Sequence, residues 1–464
     1  MDPKGEEPSA AYCRPRATAN HKAEPAIPID AMYLVRLAKR MLDRLGVRRV
    51  DMFHYFRFHW KGVFPIATLC SGTDAPILAW RAFLTASSDV LGITCEAQHL
   101  FSCEENEAKA AFIMKAFPNV PVFENVTSLP IGAAAVHGSS AQEIVPKIAG
   151  SIMAGIPCTS ASALNPHSST DDNRACVAAG TMATGQVFQG LTAYLDRIGK
   201  PCMVTLENVL TLSRKPAQDS KSNLDTILQK LRERRFWTMA FHLDPRDFGS
   251  CQCRPRLWIP ALDMDAMLIS PEAATQAAIS IMNSLVGSQQ ASVSEYLLSA
   301  DDPLVASSQI EHVVAALVKD GEVEEALWHS GGIMPAKRGL KRKRNPGRWP
   351  ERHVREFERR GLCLLDVHEW AKSDAAAKIT SAPGWRSLSE RQRDILSLAM
   401  VEFDAKNSTG PRDLANCSLE LSQNCGRQKL RYGSVSTITP RGQQFLMGRK
   451  RVMHYIEAFR FQGI

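Results

Sequence analysis

From about residue 62 to residue 262, short apolar runs alternate with amphipathic stretches. FPIATL (64–69), HLFSC (99–103), VPVF (120–123), SIMA (151–154), CMVTL (202–206), FWTMAFHL (236–243) and RLWIPAL (256–262) are bounded by turn residues, which predicts strands. Between them, Ala108, Ala111, Phe112 and Ala116 fall on one face of a helix. Val187, Leu191, Tyr194, Leu195 and Ile198 share a second face, closed by Gly199, and Leu224, Ile227, Leu228 and Leu231 a third. Strands alternating with helices imply crossover connections, hence an α/β class with a mainly parallel sheet in a core of about 200 residues. Ligands on such sheets bind at the carboxyl ends of the strands.

The flanks read differently. Residues 1–26 are polar and rich in Pro and Ala, the composition of a disordered tail. Residues 27–61 hold an N-terminal helical segment, with Asp30 as its cap, Leu34, Leu37, Ala38, Met41 and Leu45 on one face, and Gly46 as its stop. After residue 262 the rhythm ends. Residues 263–432 predict a smaller, irregular second domain with a helix at SERQRDILSLAM (389–400). Residues 433–464 return to strand-then-helix character and are expected to rejoin the 62–262 core.

Composition narrows the class. At 464 residues and 45% hydrophobic, the chain can bury a sizeable core. No apolar stretch approaches the roughly 20 residues of a membrane span, and the N-terminus has no secretory apolar region. Twelve cysteines without a CxxC pair read as free thiols in a reducing compartment and argue against structural zinc or another metal site. Net charge matters more for where it sits. The chain carries +8, and residues 337–360 hold eleven Lys/Arg against three Glu, 11 − 3 = +8, leaving the remainder near neutral. Lys337, Arg338, Lys341, Arg342, Lys343 and Arg344 lead this run. It reads as a phosphate-contacting surface and resembles a nuclear import signal, while a simply solvated run is the bland account.

Chemistry-bearing residues gather at the predicted strand ends. LCSGTDAP (69–76) makes a Gly-containing turn into a helix, suited to a nucleotide-like ligand or serving as an ordinary connection. Glu104 at the end of the second strand is placed to accept two ribose hydroxyls, or to stabilise a helix N-terminus. Cys158 follows Pro157 in AGIPCTSAS (154–162), an odd setting for a structural thiol. TLENVL (205–210) puts Glu207 in an apolar strand, where burial would raise its pKa and keep a proton on it at neutral pH. Gln252, Arg254 and Arg256 alternate into a strand and so point one way.

In this order these elements resemble the cytosine-C5 methyltransferase family: a Gly turn, a ribose-binding Glu, Pro-Cys, Glu-Asn-Val and Gln-x-Arg-x-Arg, then a variable target-recognition region and Arg-x5-Glu-x2-Arg-x-Gln-Gly. Here they stand at 69–72, Glu104, Pro157-Cys158, Glu207-Asn208-Val209, Gln252 to Arg256, residues 263–432, and Arg451, Glu457, Arg460, Gln462 and Gly463. The resemblance implies a Rossmann-like methyltransferase core, S-adenosylmethionine as cofactor and DNA as partner. It implies Cys158 as nucleophile towards C6 of a flipped-out cytosine, Glu207 on N3 and the exocyclic amine, and Arg256 with Arg254 at O2. Cys70, Ser71, Gly72, Thr73, Glu104, Asn125, Val126 and Pro157 would line the cofactor, and Gln252 with the basic run would contact nucleic acid. The import-like basic run together with a DNA partner points to a nuclear location, with the cytoplasm as the alternative.

The chain also departs from the family. Thr159 stands where Gln is common, Cys70 where Phe is usual, and Thr73, Asp74 and Ala75 where later glycines are expected. Asn125 replaces an adenine-contacting acid, its amide carbonyl still able to accept a hydrogen bond. The closing Gly-Asn motif is absent from the sequence, and helix 30–45 is a candidate to stand in for it. Two other readings remain open at this point: the same chemistry on tRNA or other RNA, and a catalytically inactive nucleic-acid or chromatin-binding homologue.

Overall fold

A computed structural model of the chain describes residues 60–305 apart from short gaps, most of 385–461, and scattered positions elsewhere, among them 12–15, 35, 38, 39, 42, 354–356, 358 and 359. Two units emerge: Met1–Phe248 with Pro255–Gln289, and Gly249–Arg254 with Gln290–Ile464.

The strands of the first unit are β1 (Tyr12–Cys13), β2 (Val63–Leu69), β3 (Glu96–Cys103), β4 (Val122–Phe123), β5 (Ala133–Ala135), β6 (Gln142–Ile144), β7 (Ser151–Gly155), β8 (Met203–Asn208), β9 (Phe236–Thr238), β10 (Ala240–Leu243) and β11 (Arg256–Asp263). Its main helices are α1 (Ala75–Leu91), α2 (Glu107–Ala116), α3 (Met182–Arg197), α4 (Asn223–Glu233) and α5 (Pro271–Leu285). The described residues form a nine-stranded sheet in the order β1-β10-β11-β8-β7-β2-β3-β4, with β9 also on β11, and β5 and β6 form a separate hairpin. Strands β8, β7, β2, β3 and β4 pair in parallel, while β11 runs antiparallel between β8 and β10. The expected α/β class and mainly parallel sheet are present.

The chain leaves β2 towards β3 and β4, then crosses back to build β7 and β8 on the other side. The order therefore reverses between β2 and β7, the switch point at which a crevice opens. Alternation along β2 feeds both faces. Phe64 and Ile66 pack with Ile77 and Leu84 of α1 and Ile113 of α2. Ala67 and Leu69 join Ile152, Val204 and Leu206 under Phe188, Leu191 and Tyr194 of α3. The predicted face of α4 is buried throughout, and Ser222 and Asp225 close its N-terminus as a capping box.

Several expectations fail for local reasons. In α2 the buried residues are Ala110 and Ile113, and Phe112 is 40% exposed. A face read mainly through alanines has little apolar area, and Ile113 with the following Phe117 outweighs it. The run 236–243 splits into β9 and β10 because both pair with β11 around Pro260, which accepts from the Met239 N–H but has no N–H to return. Tyr12 and Cys13, assigned by composition to a disordered tail, pair in parallel with Ala240 and Phe241. Of the N-terminal helical segment, Val35, Ala38, Lys39 and Leu42 are described as helical. Ala38 and Leu42 pack on Ala86 of α1, and Lys39 pairs with Asp89 at 2.7 Å.

The second unit carries an antiparallel sheet of β12 (Cys417–Glu420), β13 (Arg431–Tyr432), β14 (Gln444–Leu446) and β15 (Arg451–Val452), in the order β13-β12-β14-β15. The helix expected at 389–400 is present as α6 (Glu390–Lys406), and α7 is Tyr455–Phe461. Ile395 and Leu396 of α6 pack with Leu419 and Phe445. Residues 433–464 thus group with this unit instead of rejoining the core, and α5 groups with the first unit instead of the 263–432 domain. Hydrophobic alternation announces a strand but does not name its partner. Arg451 grips Glu457 through two bonds, 2.8 and 2.6 Å, while the N–H groups of Leu298 and His454 donate to the same buried carboxylate.

At the switch point, a Cβ on Gly155 would lie 2.8 Å from the backbone oxygen of Cys70. Gly155→Ala is expected to lower stability by about 1–3 kcal/mol, because backbone cannot retreat as a side chain can. The measurement is the urea midpoint; an unchanged midpoint would show that β2 and β7 are free to separate.

Candidate active site

After β2 the chain turns through Cys70, Ser71, Gly72 and Thr73 into α1. Cys70 and Gly72 take left-handed conformations, φ 53° and 78°. The Cys70 N–H donates to the Cys103 carbonyl at 2.7 Å, which ties the turn to the end of β3. Burial, reinforced by Glu104 and Glu105, pushes the Cys70 thiol up to about 12, so this sulfur stays protonated and inert at neutral pH. Glu104 follows β3 and is buried. Its carboxyl oxygens accept from the Gly72 and Asn106 amides, each at 3.1 Å, and Lys109 Nζ lies 3.9 Å away. A carboxylate offers about four acceptor positions, so about two are left for a diol such as the ribose of S-adenosylmethionine. The residues fit that cofactor.

Beyond the turn the cofactor-lining expectations divide. The side-chain carbonyl of Asn125, expected to face adenine, instead accepts the N–H and hydroxyl of Thr127, both at 2.8 Å, and caps the 3-10 turn Val126–Ile131. Its acceptor capacity is spent locally. Val126 is a core residue, 3% exposed. Pro157 belongs to the cysteine loop.

That loop leaves β7 at Gly155, which registers with Glu207 of β8. Cys158 is a half-buried free thiol. Irregular backbone must find its hydrogen bonds outside a ladder, and three elements supply them. Asn208 donates from Nδ2 to the Ile156 carbonyl at 3.1 Å, Thr184 of α3 from its hydroxyl to the Pro157 carbonyl at 2.6 Å, and Thr211 to the Ala161 carbonyl. Within the loop the Ser162 N–H donates to the Cys158 carbonyl at 2.8 Å. Sequence reasoning missed Thr184 and Thr211. The available signal was a hydroxyl on the predicted buried side of a helix, one residue type among many that core positions tolerate.

Glu207 stands at the end of β8, and Arg256 opens β11 beside it. Arg256 Nε lies 2.9 Å from Glu207 Oε1, with side chains 16% and 24% exposed respectively. The deeply desolvated acid expected from the apolar strand is thus a partly solvated carboxyl facing a guanidinium. Arg256 also donates to the Pro255 carbonyl at 2.9 Å. Cys158, Glu207, Arg256 and Glu104 all belong to the first unit. Gln252 and Arg254 group with the second. There Gln252 bridges to Val435 and is 3% exposed, so the surface contact to nucleic acid expected of its side chain is not available in this form. The expected contacts Lys337, Arg338, Lys341, Arg342, Lys343 and Arg344 lie outside the described residues. Among the described residues no helix is long and apolar enough to cross a membrane.

Comparison with known proteins agrees with the ordered motifs. Residues 136–464 match the family model described as C-5 cytosine-specific DNA methylase. A DNA (cytosine-5-)-methyltransferase DMT5 of Cryptococcus neoformans is 26% identical over 435 residues, covering 91% of this chain and 16% of the relative. The DMT5 of Verticillium dahliae is 24% identical over 485 residues, covering 94% of this chain and 19% of the relative. The chain therefore spans under a fifth of the length of these curated relatives. Among solved structures, a methyltransferase of Entamoeba histolytica, EhMeth, aligns with a TM-score of 0.32 at 15% identity, covering 51% of this chain and 60% of its own. That score is too low to bear on the fold, which rests on the strand order itself. The family model covers well over half of the sequence, and the chain belongs to the C-5 cytosine-specific DNA methylase family.

Proposed function

We propose that this chain transfers a methyl group to C5 of cytosine in DNA, by way of a covalent bond between Cys158 and C6 of a base flipped out of the duplex, in a nuclear setting. The observation that carries the reading is the meeting of Glu207 and Arg256 at 2.9 Å, where β8 ends and antiparallel β11 begins, with Glu207 in register with the glycine three residues ahead of Cys158.

Cytosine C5 is a weak nucleophile. Addition of the Cys158 thiolate to C6 forms an S–C6 bond and moves the ring π electrons towards C5. Glu207 accepts from the exocyclic amine and shares a proton with N3, and Arg256 donates to O2, where negative charge gathers as the sulfur adds. S-adenosylmethionine, when bound, supplies an electrophilic methyl group, and Glu104 and the Cys70–Thr73 turn hold its ribose and amino-acid end. After methylation the C5 proton leaves to a base. The electrons of that C–H bond reform the C5–C6 double bond and expel Cys158 as thiolate. Because C6 is shielded inside a stacked duplex, the base must rotate out to reach the thiol. The basic run at 337–360 is the proposed contact to the nucleic acid.

Two measurements test this. Radiolabelled S-adenosylmethionine offered with duplex DNA and with tRNA is expected to label DNA with the wild type and not with Cys158→Ala. Label in tRNA alone moves the same chemistry to RNA; label in neither leaves a binding protein with a methyltransferase scaffold. DNA carrying 5-fluorocytosine is expected to form an adduct stable to denaturing gels with the wild type alone.

Thr184→Val keeps the shape of a fully buried residue but removes the donor to Pro157. The variant is expected to lose about 1–3 kcal/mol of stability, and to trap 5-fluorocytosine about ten-fold more slowly. Affinity for S-adenosylmethionine should hold within about two-fold. Trapping at the wild-type rate would show that the loop does not depend on this bond.

A further inference from the structure

At the point where the family has glycine, this chain has Asp74, and its conformation is still the glycine-like one: φ 56°, ψ 28°. As the first residue before α1 it would ordinarily cap the helix with its side chain, but it makes no such bond. The carboxyl group turns the other way, is fully buried, and accepts from three hydroxyls. Thr68 of β2 donates at 2.7 Å, Ser102 of β3 at 2.5 Å, and Ser71 of the turn itself. Ser102 Oγ also lies 2.9 Å from His99 Nε2, whose ring is buried. Burial lowers the His99 pKa, which favours a neutral ring; with the Ser102 hydrogen given to Asp74, that ring donates its Nε2–H to the Ser102 oxygen.

One carboxyl group therefore joins both strands that support the turn to the turn's own Ser71. The next residue, Gly72, directs its N–H to Glu104. We infer that Asp74 is a positioning residue: through Ser71 and Gly72 it fixes the turn and sets the orientation of the Glu104 carboxylate, doing with a buried side chain what the family's glycines do with backbone freedom. The inference rests on the reading of Glu104 and this turn as the S-adenosylmethionine site.

The test compares Asp74→Gly, Asp74→Asn and Thr68→Val in the full chain. Two readouts are used: equilibrium binding of S-adenosylmethionine, and hydrogen exchange of the peptide spanning 70–76 without ligand. If Asp74 serves only a left-handed backbone, glycine is the better residue and should bind at least as well as aspartate. If it is an anchor, Asp74→Gly weakens binding by about ten-fold or more and speeds exchange in the peptide. Asp74→Asn then recovers most of both, since its carbonyl accepts from Thr68 and Ser71 and its NH2 donates to Ser102, whose hydrogen turns to His99 as the neutral ring takes its other tautomer. Thr68→Val, which removes one donor, is expected to weaken binding by about three-fold and serves where the glycine variant fails to fold. Binding and exchange unchanged in Asp74→Gly, or unchanged in Thr68→Val where that variant stands in for it, would overturn the inference. If the wild type binds no S-adenosylmethionine while exchange still ranks aspartate and asparagine below glycine, the anchor stands and the cofactor reading falls.

Discussion

At the seam between the two halves of the sheet, Gly155 of β7 lies tight against the backbone of Cys70 at the end of β2. Strand order reverses there, so the loops leaving these two strands diverge to opposite sides and leave a crevice between them. One loop carries Cys70 to Thr73 and the other carries Pro157 and Cys158. Parallel pairing brings Glu207 alongside in register with Gly155, and antiparallel β11 brings Arg256 back to the same end. Residues separated by 186 positions, Cys70 to Arg256, are thereby gathered at one edge of the first unit by strand pairing, with no need for the loops to reach. The glycine at 155 is the steric condition for that gathering, since its φ is ordinary and only the missing Cβ matters.

Loops at such an edge gain little from ladders, and this protein holds them with side chains instead. The cysteine loop is held by Asn208, Thr184 and Thr211, each donating to a loop carbonyl. The turn after β2 is held by Asp74 and, through Gly72, by Glu104. All of these bonds except the local one from Ser71 to Asp74 cross between elements distant in sequence, so the loops are rigid only when the whole α/β unit is folded. Local propensity contributes little there; tertiary hydrogen bonds in a buried setting do most of the ordering.

This division explains what the sequence made legible. Strands β2, β3, β7 and β8 are short apolar runs flanked by turns, and a buried parallel strand has no other appearance. The face of α4 was readable because leucines and isoleucine fill it, and that of α2 was not because alanine is apolar yet small. The breakpoint at Met239 needed knowledge that Pro260 lies opposite it. Likewise, alternation in 433–464 could not reveal that β14 pairs with β12 rather than with the large sheet. Candidate site residues were legible as an ordered set, Cys158, Glu207 and Arg256, because chemistry restricts residue type and order. Their supports were not. Asn125 shows the same limit from the other side: its side chain suits a ligand, but a 3-10 turn one residue away takes its carbonyl first.

The pairing of Glu207 with Arg256 has a consequence for how a base would be received. An unpaired carboxyl at the end of an apolar strand would be costly to desolvate, as would an unpaired guanidinium. Held against each other at 2.9 Å while still partly solvated, the two groups escape that cost in the free protein. On the proposed reading, an entering cytosine strips the remaining water and gives each group a further partner: the amine and a proton shared with N3 for Glu207, O2 for Arg256. A guanidinium has five N–H donors in a fixed plane, so Arg256 can keep its bond to Glu207 while another N–H turns to the base. The ion pair would then tighten as water leaves, and its electrostatic effect on the ring would be greatest when sulfur adds to C6. A lysine at 256 would keep the charge but lose that shared planar geometry, which is why the type of cation at this strand end matters as much as its sign.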